Sequence, residues 1–262
     1  MASVTSLVPR GAPPGAVRSA SDLAAPEQAV GQRVLPVREE LASLLPHGGL
    51  RRGSTVVVRG STSLLFTLLA TATERGSWAA VVGMPGLGLL AAADLGIAVR
   101  RLAVVPEPGA ELASVVAALL DGVDMVAVSG AEPALAGPSG AGLARRLSAR
   151  ARHRGAVLIP FESFGARPFG DWPNADLELS RTGTRWSGLG GELGESGEGP
   201  NTGHGHLAGF ELAVSVRGRG AAVRPRHGVL VLPGGPGQPG EPGEPRPEPD
   251  EEREPDRGVR VG

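Results

Sequence analysis

The chain has 262 residues, a formal charge of −1 and no cysteine or tyrosine, and every one of its 26 basic residues is arginine. That composition excludes a disulfide framework, a cysteine nucleophile, Cys-ligated zinc, a lysine Schiff base and the lysine of a P-loop. Glycine (41) and proline (24) together make about a quarter of the chain, which points to low-complexity segments at its margins.

Residues 1–35, rich in Ala, Pro, Gly and Ser, read as a mobile arm, and the stretch from Met1 to Ala25 holds no continuous apolar run of the kind a secretory signal needs. The cytoplasm is therefore the expected compartment, with no membrane contact. Pro36 opens a predicted helix over Val37 to Leu45, with Val37, Leu41, Leu44 and Leu45 on one face. Strand and helix signals then alternate. Val56-Val57-Val58, Ala79 to Val82, Leu102 to Val105, Met125 to Val128 and Val157 to Ile159 are short apolar strands. Between them, Leu64 to Arg75, Leu87 to Leu95, Glu111 to Leu120 and Leu143 to Arg154 carry helical spacing. Continuous apolar strands separated by helices predict an α/β fold, a mostly parallel sheet covered on both faces.

After Pro160 the pattern changes. Leu177 to Leu179, Phe210 to Val216 and Val229 to Leu232 are expected to extend the sheet as antiparallel strands, with residues 188–205 a flexible Gly/Glu insert. The folded domain is expected to span 36–232. Residues 233–262 form a Pro/Gly-rich acidic tail expected to be disordered. From Gly234 onward eight acidic residues face four arginines, so the tail carries −4 and leaves +3 for the rest.

In such a sheet the first loop is the natural phosphate cradle, because helix N–H groups point at an anion there. Here Gly60-Ser61-Thr62-Ser63 runs straight into Leu64-Leu65-Phe66. It is shorter than a Walker A loop and lacks its second glycine and its lysine. Arginine does not replace that lysine, since its broad fork differs from a compact ammonium. The strand Met125 to Val128 ends in Ser129, where a magnesium-holding carboxylate is needed, and Asp124 stands at the opposite end. No catalytic residue, nucleotide cofactor or metal is expected.

Gly49 to Gly60, Leu95 to Leu102 and Val123 to Ser129 resemble the glycine turn with first core strand, the segment before the third strand, and the Walker B strand of RecA-type recombinases. Serine replaces the Walker B aspartate at Ser129. More narrowly, the chain resembles RecA-like accessory proteins of induced mutagenesis, the actinobacterial ImuA type. The resemblance implies a non-catalytic role in the SOS response to DNA damage and in translesion synthesis. The implied partners are a Y-family polymerase homologue, an error-prone polymerase and a RecA-type recombinase. It also implies that Arg217 and Arg219 match the cation pair that reaches a neighbour's ATP in recombinase filaments; an ordinary basic hairpin turn is the competing reading. A divergent ATP-binding RecA-family protein and a RecA-fold cell-division inhibitor are the alternatives.

Two further groups of residues are candidates for DNA or partner contact. Arg145, Arg146 and Arg150, with Arg152 and Arg154, crowd one amphipathic helix; five cations there suit phosphates, a solvated face or the acidic tail. Arg167, Phe169 and Trp172 lie where a RecA-type DNA-binding loop is expected; for Phe169 and Trp172 the readings are stacking on bases, covering the sheet end and meeting a partner protein. His204 and His206 lack further ligands, and Gly83 to Gly88 reverses the dinucleotide spacing, so neither is taken as a site.

Overall fold

A computed structural model of the chain describes residues 33–129, 133–135, 137–163, 172–187, 209–219 and 222–233. Most of the expected mobile arm and of the tail, the whole insert, Arg167, Phe169, His204 and His206 lie outside them.

The described residues open with a two-stranded antiparallel pair, β1 (Val34–Pro36) and β2 (Gly49–Arg51), around a short helix, α1 (Glu39–Ala42). This corrects the predicted helix over Val37 to Leu45. Pro36 ends a strand rather than opening a helix, and its partner Gly49 must be glycine, because a Cβ there would lie 2.4 Å from the Leu35 carbonyl oxygen. The apolar spacing still reports burial: Val37, Leu41, Leu44 and Leu45 are all in the core.

The main sheet has eight strands in the order β10-β9-β8-β3-β7-β6-β4-β5. They are β3 (Val56–Arg59), β4 (Ala79–Val82), β5 (Leu102–Val105), β6 (Met125–Ser129), β7 (Val157–Glu162), β8 (Leu177–Ser187), β9 (Gly209–Gly218) and β10 (Arg226–Pro233). Strands β3 to β7 are parallel to one another. The expected α/β fold is present, including C-terminal antiparallel strands. One detail differs: β8 runs parallel to β3 on one side and antiparallel to β9 on the other. It is the hinge between the two sheet styles, and Thr182 is squeezed out of its ladder between Arg181 and Gly183.

Side chains alternate across the sheet into two cores. Val56, Val58, Val81, Ala127, Ile159 and Leu179 pack on one face against α2 (Thr62–Glu74) and α3 (Leu89–Asp94). Val57, Val82, Val126, Val128 and Leu158 pack on the other against α4 (Leu112–Gly122) and α5 (Gly137–Arg154). Helix α2 is buried nearly all round, from Leu64 to Ala70, as expected of a helix central to a core. Among the described residues no helix is long and apolar enough to cross a membrane.

Candidate functional site

Only Gly60 and Ser61 separate the end of β3 from the start of α2. Gly60 adopts φ +82°, a left-handed conformation costly for any residue with a Cβ, and its N–H donates to the Glu162 carbonyl at 2.7 Å. Ser61 is extended and caps α2, its Oγ accepting from the Leu64 N–H at 3.2 Å. That hydroxyl is committed to the helix end, and a two-residue crossing has no arc of amides to encircle a phosphate. Thr62 and Ser63 already belong to the first helical turn.

The sequence does not reveal which side chain overlies this turn. It is Arg181 of β8: a Cβ built on Gly60 would lie 3.5 Å from the Arg181 Cβ and 3.7 Å from its Nε. Its Nη1 donates to Thr184 Oγ1 at 3.1 Å. The separation of more than a hundred residues, bridged by the parallel β3–β8 pairing, hides it from any local motif.

Ser129 ends β6 and is buried, opposite Phe161 on β7. Asp124, just before the same strand, acts as a structural anchor. Its carboxylate accepts from the Trp78 N–H at 2.8 Å and pairs with Arg52 at 2.7 Å. No group of three or more metal-ligating side chains occurs among the described residues.

Beside the turn, on the α4/α5 face, lies a ladder of alternating charge across four strands. Glu162 on β7 pairs with Arg59 on β3. Arg59 Nε also faces Glu178 Oε1 on β8 at 3.4 Å, and that oxygen accepts from Arg217 Nη2 on β9 at 2.8 Å. Ser180 Oγ adds a contact to Glu178 at 3.3 Å. The three inner members are largely buried, so each charge needs its neighbour. Arg217 is the outer rung, its side chain 59% exposed. It is therefore not a wholly free cation; Arg219, two residues on, is exposed and forms no ion pair among the described residues.

The other candidates divide. Arg145 and Arg146 are exposed on α5. Arg150 is not available in the same way: its Nε donates to Asp121 Oδ1 on α4 at 2.8 Å, and Arg154 Nε reaches the same oxygen at 3.0 Å. The Arg150 hydrogen bond, more than the charge of Arg154, holds the Asp121 carboxyl below the usual aspartate range. Of the readings given to Trp172, covering the sheet fits its place best. It is only 6% exposed, sits in the α4/α5 core, and spends its indole N–H on Ser148 Oγ at 3.0 Å. A ring held there is not presented to bases.

Residues 43–172 match the family model described as the MT3502 N-terminal domain, a span that begins beside α1 and ends at Trp172. Over 183 residues the chain is 35% identical to uncharacterized protein Rv3395c of Mycobacterium tuberculosis, covering 67% of this chain and 80% of that protein. The chain belongs to the family of that mycobacterial protein, and the span matched by the family model contains the turn at Gly60, Ser129 and the parallel strands.

Proposed function

We propose that this protein is a non-catalytic RecA-like accessory protein of the DNA-damage response. It acts in translesion mutagenesis by linking a Y-family polymerase homologue and an error-prone polymerase to recombinase filaments. The observation that carries the reading is the turn after β3: it keeps the place of a phosphate loop between the central strand and α2, yet spans two residues and commits the Ser61 hydroxyl to capping. Ser129, in place of a carboxylate at the end of β6, supports the same reading. The strand order, with β3 between β7 and β8, supports a RecA-like ancestry, an argument from fold analogy. Exposed Arg219, with the open edge of Arg217, is the pair offered in trans to a filament neighbour.

A second reading has one observation in its favour. Arg181 brings a guanidinium beside Gly60 at the start of α2, where a divergent ATP-binding protein needs a cation. Titration with a fluorescent ATP analogue separates the two. The accessory role expects no saturable binding; micromolar, magnesium-dependent binding lost in Arg181→Ala returns the ATP-binding reading. Co-purification of a tagged chain from DNA-damaged cells tests the partners, with a Y-family polymerase homologue as the expected companion.

A further inference from the structure

A groove of about 470 Å³ opens where β8 begins and β9 ends, lined by Trp172, Glu178, Arg217, Arg219, Val223 and Pro225 among others. The core under α4 and α5 accounts for its floor, through Trp172, but not for its rim. Val223 is 66% exposed, a large fraction for an apolar side chain beside a concavity, and Pro225 is exposed next to it. The buried Trp172 ring has its N–H satisfied by Ser148, so it offers no polar group to an occupant.

The charges are as informative. Glu178 is held between Arg59 and Arg217, and Glu162 is held by Arg59, so the ladder is internally balanced. Arg219 is in excess of it, and exposed Arg224 adjoins the apolar rim. The groove thus pairs an apolar edge with cations that form no ion pair among the described residues. Single-stranded nucleic acid fits it poorly, because the buried Trp172 provides no platform for stacking bases.

We propose that this groove binds an extended acidic–apolar segment of a partner protein. A carboxylate of that segment meets Arg219 and the open edge of Arg217, and a neighbouring apolar side chain lies on Val223 and Pro225. The volume suits a few side chains rather than a folded domain. The proposal rests on the partner-binding reading above, but its test is separate from the ATP titration, so either can fail without the other.

The probe is a fluorescein-labelled short peptide alternating aspartate and leucine, added to the full chain and followed by anisotropy. Binding is expected to weaken at least tenfold in Arg219→Glu, equivalent to about 1.4 kcal/mol, and several-fold in Val223→Ser. It should fall with added salt and persist in Arg145→Glu, which alters a different basic surface. Both groove residues are exposed, so melting temperatures should match the parent protein. Absence of binding, or equal affinity in the two groove variants, overturns the proposal. An equal loss in Arg145→Glu, marking unspecific attraction, does the same. So does a thymidine oligonucleotide that binds more tightly than the peptide with the same variant losses. Binding that appears only after Glu241, Glu244 and Glu248 are changed to Gln would assign the groove to this chain's own acidic residues instead.

Discussion

The parallel and antiparallel parts of the sheet follow different rules. Strands β4 and β6 bury every residue, because helices cover both faces. Strands β9 and β10 instead alternate buried with half-buried or exposed positions. Their inner residues, Leu212, Val214, Leu230 and Leu232, join the core that holds α1 and α2. Their outer face carries exposed Val229 and Val231 and the surface Arg185–Glu211 pair. A layer sealed on both sides can place chemistry only at its strand ends, and here those ends carry a tight turn and a serine. The open part of the sheet is free to carry recognition, and the ladder leads from one part into the other.

Core substitutions should separate the two regions most widely. Leu68→Ala, in the fully buried middle of α2, is expected to cost about 2–5 kcal/mol in urea unfolding. Val231→Ala, on the open face, should stay within about 0.5 kcal/mol. Similar losses at both sites would mean that the open face is covered in solution.

The ladder joins the regions, so its centre should matter next. Arg59→Met leaves Glu162 and Glu178 without their shared cation and is expected to cost about 3 kcal/mol. Adding Glu162→Leu should restore much of that loss, since it removes the carboxylate that loses its ladder cation, whereas Glu178 keeps Arg217. A neutral single substitution would show that the two parts are not coupled through Arg59.

A smaller effect is expected at the turn. Gly60→Ala forces a Cβ into φ +82° and should cost about 1–2 kcal/mol. The nearest side-chain atom, 3.5 Å away, is in ordinary contact, so backbone strain rather than collision sets the size. An unchanged midpoint would mean that the turn is not held in that conformation.

The smallest effect is expected at the α4–α5 surface, where Asp121→Asn removes the anchor of Arg150 and Arg154. A carboxyl whose pKa is lowered on folding stabilises above its unfolded value, about 3.9, and loses that contribution as pH falls through the folded value. The melting-temperature gap between parent and variant should therefore be present at neutral pH, close in acid, and shrink in salt because the pair is exposed. A gap that widened in acid would contradict the assigned pairing.

The parallel strands were legible because runs such as Ala79 to Val82 and Met125 to Val128 are short, continuously apolar and bounded by Gly or charge. The helices were legible from spacing, most clearly α2. Local pattern failed where three-residue strands meet across a turn: Val34–Pro36 and Gly49–Arg51 are too short to announce a pairing, and Pro36 mimicked a helix start. It left Trp172 open as well. A tryptophan in a Pro-containing segment reads as a surface aromatic until Ser148, 24 residues earlier on α5, is placed beneath its N–H.

The amino-acid order by itself determined that the chain alternates strand with helix, and that the Gly60–Ser63 turn lacks a lysine and Ser129 replaces a carboxylate. These are facts of residue type and close spacing, written along the backbone. Tertiary structure decided what surrounds them. It set Arg181 over the turn, joined Glu162, Arg59, Glu178 and Arg217 into one ladder, buried Trp172, and left Arg219 beside an apolar rim. Each arrangement depends on strand order and register, which arise from packing between distant segments and leave no local trace.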